Sequence, residues 1–249
     1  MKRRTDLLRS HTQQSTSHFK KTSPDLIKIK GSSLIELIVG GLIALLFIMG
    51  IIQMLLIYRG SVQLQQATFE AARAGIVENG ITTAMNDAFA EYSIDFHGGG
   101  TNLQELAVSL GRAKFATTLP PLFGGAGYKL RILNPTKQAF NDWALNSDDE
   151  TPKAIPNAWQ HIKDPANIGA TSGVSIQDAN ILKIEITYGI PLHMPVIGRI
   201  IGDAMVTLDP TNRNYYTASP PRLPLKFTAV MHMQSDFYEN ENSVSFEDF

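Results

Sequence analysis

Residues 37–58 read LIVGGLIALLFIMGIIQMLLIY and contain no charged side chain and a single polar amide, Gln53. At ~1.5 Å rise per residue, a helix of this length would extend about 33 Å, close to the ~30 Å hydrocarbon core of a bilayer. A buried core helix is the alternative, but such helices are usually shorter and carry charges on one face. The stretch therefore predicts a transmembrane helix, which we assign to residues 32–58.

Charge is distributed unevenly on the two sides of this stretch. Of the 22 basic and 23 acidic residues, eight basic and two acidic ones lie in residues 1–31, so this basic leader carries +6 and the rest of the chain −7. Because cytoplasmic flanks are rich in Lys and Arg, the N-terminus is predicted to be cytoplasmic and residues from about 60 onward to be exported. The apolar run is too long for the core of a secretory signal peptide. The acidic body also argues against nucleic acid as a partner.

The junction before the helix reads Lys28-Ile29-Lys30-Gly31-Ser32-Ser33-Leu34-Ile35-Glu36-Leu37. It places one carboxylate, Glu36, in the first turns of the apolar run. A carboxylate at the edge of the hydrocarbon is costly and is usually retained for a function, although a helix N-terminus offsets part of the cost. The alternative is an interfacial Glu36 whose side chain simply reaches the lipid headgroups. The residues alone leave both interpretations open.

A second motif follows the apolar run, Gln65-Gln66-Ala67-Thr68-Phe69-Glu70-Ala71-Ala72-Arg73-Ala74-Gly75. Together with the Gly31 and Glu36 junction, it resembles TadE-type proteins, the minor pilins or pseudopilins of tight-adherence (Flp) pili, which are related to type IV pilins. The resemblance covers roughly residues 31–75. Its family-like residues after the membrane helix are Ala71, Ala72, Arg73 and Gly75.

The resemblance implies a processing and assembly role for the junction. Prepilin peptidase would cleave between Gly31 and Ser32, which makes Glu36 the fifth residue of the mature chain. In that superfamily this Glu is thought to pair with the N-terminal amine of a neighbouring subunit. The implied partners are the inner membrane, prepilin peptidase, other pilins or pseudopilins and the pilus assembly platform.

Small residues recur along the helix on both sides of the predicted membrane boundary. Gly40, Gly41 and Ala44 offer a surface for close helix packing within the bilayer. Further on, an apolar stripe recurs at helical spacing and predicts that the helix continues outside the membrane, over Leu64, Ala67, Ala71 and Ala74. This stripe could pack against another subunit or be covered by the protein's own sheet. Asn79-Gly80 predicts an interruption, after which residues 81–92 resume the helix.

Three later segments alternate apolar and polar residues with period two, centred on residues 128–132, 182–188 and 225–233. Each predicts a strand with one buried face, which is typical of antiparallel sheets. The fold class is therefore predicted as α+β, with a long N-terminal membrane-spanning helix that continues into an exported domain, and the resemblance to TadE-type proteins implies that it is pilin-like. In that domain a small antiparallel sheet packs on helices.

The domain boundaries follow from these segments. A cytoplasmic leader covers residues 1–31, the transmembrane helix 32–58, its extension 59–96, the exported α+β domain 97–235 and an acidic flexible tail 236–249. Loops are predicted over residues 146–180 and 209–224. Asn146, Asp148 and Glu150 alternate as calcium ligands do, but the central Gly and terminal Glu of an EF-type loop are missing, which favours a solvated acidic loop.

Each candidate catalytic motif in the sequence lacks a residue that its chemistry requires. His97-Gly98-Gly99-Gly100 resembles the oxyanion loop of lipases, but no Gly-x-Ser-x-Gly accompanies it, so we interpret it as a turn that ends the helical region. Gly124-Gly125-Ala126-Gly127 lacks the Lys-Ser/Thr ending of a phosphate loop. The chain has no Cys, and its six His residues show no metal-ligand spacing. We expect no enzyme activity, no metal and no cofactor.

Two function classes remain after this reading. The first is a minor pilin or pseudopilin that takes part in pilus biogenesis and adhesion, held in the bacterial inner membrane with its C-terminal domain in the periplasm, and able to join a surface pilus. The alternative is an uncleaved, single-pass periplasmic scaffold or binding subunit of a secretion apparatus. An anchored hydrolase is the least supported class.

Overall fold

A computed structural model describes residues 29–145 and 153–239. The chain divides into two compact units, Met1–Leu45 and Leu46–Phe249. Helix α1 comprises Ile29–Val77, so its residues up to Leu45 belong to the first unit and the others to the second. Three segments named above lie outside the described residues: the leader up to residue 28, the acidic loop with Asn146, Asp148 and Glu150, and the tail from residue 240 onward.

The second unit contains six further described α-helices, four short 3-10 helices and five described strands. The helices are α2 (Thr82–Tyr92), α3 (Leu103–Thr118), α4 (Lys137–Trp143), α5 (Ile176–Ala179), α6 (Ile197–Leu208) and α7 (Arg213–Tyr216). The strands are β1 (Lys129–Asn134), β2 (Ala154–Ile155), β3 (Ile181–Pro191), β4 (Arg222–His232) and β5 (Phe237–Tyr238). The chain is therefore α+β, with a long apolar N-terminal helix and a small antiparallel sheet, as predicted.

The sheet has the order β1-β3-β4, with β3 antiparallel to both neighbours, and β2 pairs separately with β5. The register of β3 with β4 runs from Ile181 opposite His232 to Pro191 opposite Arg222. The alternation expected from the sequence is observed, because one face of β3 is fully buried through Leu182, Ile184, Ile186 and Tyr188. β4 begins at Arg222, within the predicted loop. Pro224 is compatible with this strand because β4 lies at an edge of the sheet.

The buried face of the sheet packs on the C-terminal part of α1 and on α2. Leu64, Ala67 and Ala71 of α1 have no exposed surface and belong to the same core cluster as Met85 and Phe89 of α2. The small side chains on α1 let β3 approach closely: a Cβ added to Gly75 would lie 2.8 Å from Leu182 Cδ2. The apolar stripe is thus covered by the protein's own sheet, which was one of the two interpretations left open.

The predicted break at Asn79-Gly80 is present, since α1 ends at Val77 and α2 begins at Thr82. Asn79 and Gly80 both adopt positive φ, 57° and 78°. The Gly80 N–H donates to the Gly75 carbonyl at 2.8 Å, which satisfies an otherwise free helix-end acceptor. The ring of Phe237 occupies the position that a side chain at residue 80 would need.

Several helices correct the sequence analysis. The short helices α5 and α7 lie within the predicted loops 146–180 and 209–224, and α3, α4 and α6 were not predicted. His97–Gly100 forms a turn but does not end the helical region, because α3 follows at Leu103. The Asn102 side chain accepts from the Glu105 N–H at 2.9 Å, and Glu105 accepts in return from the Thr101 N–H, so the helix start is well capped. The buried face of α3 consists of small residues, Ser109, Ala113 and Ala116, which give a weak hydrophobic signal. Helix α6, also not predicted, is described below.

The predicted flexible tail begins too early at residue 236. Phe237 is fully buried and pairs in β5 with Ile155 of β2. Asp236 Oδ1 also accepts from the Asn157 N–H at 2.7 Å. The acidic composition of the tail concealed a large apolar side chain, whose burial fixes residues 236–238 onto the domain.

Candidate anchoring and assembly site

The N-terminal part of α1 exposes large apolar side chains around its whole circumference. From Leu34 to Ile52 the exposed ones are Leu34, Ile35, Leu37, Ile38, Val39, Leu42, Ile43, Leu45, Phe47, Ile48, Ile51 and Ile52. The helix is long and apolar enough to cross a membrane, and no residue of its most apolar stretch is buried. In water, a helix with such a surface would need a cover, whereas in lipid it needs none.

The predicted junction residues lie at the start of this helix. Gly31 and Ser32 fall within the first turns of α1, and Glu36 lies on α1 with its side chain exposed. Glu36 is the one charged residue between Ser32 and Tyr58 in the sequence. The exposed carboxylate of Glu36 lies among exposed apolar neighbours, so a second molecule could reach it.

The small residues predicted for helix packing are also accessible. Gly40, Gly41 and Ala44 are exposed, and a Cβ added at either glycine would meet no atom within 4 Å. This part of the helix therefore has a surface on which another helix could pack at short distance.

The family-like motif at Ala71, Ala72, Arg73 and Gly75 is mostly internal to the fold. Ala71 and Ala72 have no exposed surface, and Gly75 is buried against Met85 and Leu182. Arg73 is the exception: its side chain is 64% exposed and pairs with Glu70 on the same helix at 3.4 Å. An exposed pair of this kind contributes about 0–1 kcal/mol to stability. The structure thus gives three of the four residues a packing role.

Gln53 marks the point at which the folded domain reaches α1. Although it lies inside the apolar run, its side chain is fully buried, and its Oε1 accepts from the Met194 N–H at 2.9 Å. Met194 belongs to the turn that leads from β3 into α6. One side of α1 is therefore covered by protein from Gln53 onward, five residues before the predicted end of the transmembrane helix.

A polar cluster lies inside the domain. Tyr188 Oη and His97 Nε2 are 2.9 Å apart. The buried Arg222 donates through Nη2 to the Gly124 carbonyl at 2.7 Å and through Nη1 to the Gly189 carbonyl at 3.3 Å. Desolvation, together with the positive charges of Arg222 and Arg112, lowers the pKa of His97 to about 4. Desolvation also raises the pKa of Tyr188 and lowers that of Arg222.

This cluster is a buried polar network in which Arg222 Nε alone has no hydrogen-bond partner among the described residues. His97 is neutral at physiological pH, so Nε2 can accept a hydrogen bond from the hydroxyl group of Tyr188. A nearby recess of about 250 Å³ brings together Arg59, Asp95 and His193, but it contains no Ser, Thr or Lys that could serve as a nucleophile. In the described part of the chain, no group of three His, Asp or Glu side chains could hold a metal ion.

Some of these features had a signal in the sequence and others did not. Gln53 is conspicuous as the lone polar residue of the apolar run. The apolar positions of α6 recur at i, i+3, i+4, i+7 and i+11 over Ile197, Ile200, Ile201, Ala204 and Leu208, which is a helical period. Arg222 could not have been identified, because its acceptors at Gly124 and Gly189 are remote in sequence.

No family model, no curated protein and no solved structure matches this chain. Function must therefore be inferred from the junction, from the exposed apolar helix and from the domain that packs on it.

Proposed function

We propose that this chain is a TadE-like minor pilin or pseudopilin that takes part in the assembly of a tight-adherence pilus. Helix α1 holds it in the bacterial inner membrane, with the N-terminus in the cytoplasm and the domain in the periplasm. It acts by assembly and contributes to pilus biogenesis and adhesion, without catalysis or a cofactor. Its partners are prepilin peptidase, other pilins or pseudopilins and the assembly platform.

One observation carries this proposal. Glu36 stands five residues after Gly31, at the start of an exposed apolar helix whose C-terminal part forms the spine of the domain. The same helix can therefore anchor the subunit by one part and hold its folded domain by the other. The positive leader and negative body support the direction of insertion.

Glu36 has a specific role in this proposal. Cleavage after Gly31 creates a new N-terminal amine at Ser32. The cationic amine of one subunit neutralises the Glu36 carboxylate of a neighbour at the edge of the hydrocarbon, where an unpaired charge is costly. The exposed Gly40, Gly41 and Ala44 then allow adjacent helices to approach closely.

Substitution of Glu36 tests this role in cells that assemble the pilus. Glu36→Ala and Glu36→Gln should abolish or strongly reduce surface pili while the protein stays in the membrane fraction. Leu37→Ala is the matched control, because it removes side-chain volume at the adjacent position and leaves the carboxylate. Normal piliation with both Glu36 variants would contradict the proposal and favour an uncleaved periplasmic scaffold or binding subunit.

A further inference from the structure

An apolar groove runs between α6 and the part of α1 that belongs to the second unit. Its volume is about 720 Å³, and its walls consist of apolar and aromatic side chains together with one glycine. They are contributed by Leu46, Phe47, Gly50, Ile51, Met54, Leu55 and Tyr58 of α1 and by Ile197 and Ile201 of α6. The groove follows α1 over thirteen residues, from Leu46 to Tyr58, or ~20 Å along the helix axis.

Helix α6 presents three different faces. Gly198 and Gly202 are buried, and a Cβ at Gly198 would lie 2.8 Å from the Leu192 carbonyl oxygen, so this face fixes the helix to the domain. Ile200 and Leu208 are 55% and 77% exposed. Leu208 continues the face of the groove-lining Ile197 and Ile201 toward the end of the helix, and Ile200 lies ~60° to one side of it. The two charged residues, Arg199 and Asp203, occupy the remaining arc, as the ~100° turn per residue of an α-helix requires.

We infer that α6 is an in-plane membrane helix, whose exposed apolar face and adjoining groove take up lipid acyl chains from the periplasmic leaflet. This inference rests on the part of the proposed function that inserts α1 in a membrane. The apolar face of α6 then continues the lipid-facing surface of α1 at Ile51, Met54 and Leu55, which are all exposed.

The position of α6 along α1 agrees with an interfacial depth. The contact between Gln53 and Met194 brings the domain to α1 five residues before Tyr58, the end of the apolar run. Five residues correspond to ~8 Å, within the ~5–10 Å to which in-plane amphipathic helices insert. With one Arg and one Asp, α6 has no net charge, so its insertion should depend on apolar burial rather than on anionic lipid.

Lipid explains the exposed surface better than a helix of a second subunit. A helix with side chains is ~10–12 Å wide and could lie in the groove, but it would leave Ile200, which lies to one side of the groove-lining face, uncovered. Fluid acyl chains can cover both surfaces at once. The α1 helix of a neighbouring copy in the groove is the competing occupant, and the experiment below distinguishes it from lipid.

The absence of cysteine in the chain makes a labelling experiment direct. Ile200→Cys and Leu208→Cys place a fluorophore on the apolar face of α6, and Asp203→Cys is the matched control on its charged arc. Phe47→Cys reports on α1 itself. Each full-length variant is reconstituted in vesicles of phosphatidylethanolamine and phosphatidylglycerol, and in phosphatidylcholine alone. Quenching by brominated acyl chains is compared with quenching by aqueous iodide.

Brominated lipid should quench the labels at 200 and 208 several-fold more than the label at 203, in both lipid mixtures. The inference is overturned if iodide reaches 200 and 208 as readily as 203 while the label at 47 remains lipid-quenched. It is also overturned if 200 and 208 are shielded from both quenchers and cross-link between copies, because a second subunit then covers them. If iodide quenches the label at 47, α1 is not inserted in the membrane, and this result contradicts both the proposed function and the inference about α6.

Discussion

At the scale of single residues, His97 is kept neutral beside the buried cation of Arg222. Its Nε2 lies 2.9 Å from Tyr188 Oη, and Arg222 and Arg112 add positive potential at the ring. Desolvation and these cations all disfavour the imidazolium, so the pKa of His97 falls to about 4. A buried Arg222 and a protonated His97 would be two like charges in one polar cluster.

This arrangement predicts a pH dependence of stability. The unfolded chain binds a proton at His97 near the ordinary pKa of 6.5, whereas the folded chain binds it only near 4. The contribution of His97 is therefore fully present above about pH 6.5 and is lost as the pH falls toward 4, by up to about 3 kcal/mol. His97→Gln should flatten this part of the profile, as measured by denaturant unfolding of the full chain in detergent.

Because carboxylates also titrate at acidic pH, the role of His97 is judged from the difference in pH dependence of stability between the variant and the wild-type protein. His193→Gln is the matched control, since His193 is exposed. It should retain the wild-type slope between pH 6.5 and 4. Equal slopes for His97→Gln and the wild-type protein would show that His97 does not titrate in this way.

At the scale of elements, α1 combines two surfaces in one helix. Its N-terminal part displays large apolar side chains, whereas its C-terminal part buries small ones, such as Ala67 and Ala71, under the sheet. Large exposed apolar residues suit lipid, and small buried residues allow close approach of a strand. The Ala71-Ala72-Arg73-Ala74-Gly75 motif lies on the second surface, so its role in packing is separate from the anchoring role proposed for the first.

Gly75→Ala tests this close approach. The added methyl would lie 2.8 Å from Leu182 Cδ2 and 2.9 Å from Met85 Sδ, so both side chains must shift. We expect a loss of about 1–3 kcal/mol in the free energy of unfolding, as for other overpacked cores. Gly111→Ala in α3 is the control, because a Cβ there meets no atom within 4 Å, and it should gain up to about 1 kcal/mol. Equal stability of the two variants would contradict tight packing at residue 75.

The elements also show what the sequence could predict. The three strands were recognisable because their period-two alternation reflects one buried face, as at Leu182, Ile184 and Ile186. Helix α3 escaped prediction because its buried side chains are small. The α6 segment has a clear helical period, so this helix is predictable from the sequence. The position of α6 beside α1 could not be read from the sequence, since it depends on the contact of Gln53 with the remote Met194.

At the scale of the whole molecule, the sequence alone predicts where the candidate site lies, but it does not predict how the folded domain packs beside that site. The sequence identified Gly31, Glu36 and the apolar run as decisive, because charge and length are local properties. It did not reveal that the domain covers Gln53 or that Gly75 is a packing residue, because these depend on tertiary contacts. A chain with a basic leader, an exposed apolar helix and an acidic folded domain is suited to insertion in one orientation.

The central claim is that this chain is processed between Gly31 and Ser32 before it assembles. Intact-mass and N-terminal mass spectrometry of the membrane-extracted protein should test it most directly, in cells with and without prepilin peptidase. The expected result is an N-terminus at Ser32 in the presence of the peptidase and retention of the leader in its absence. An N-terminus that keeps the leader in both strains would contradict the claim.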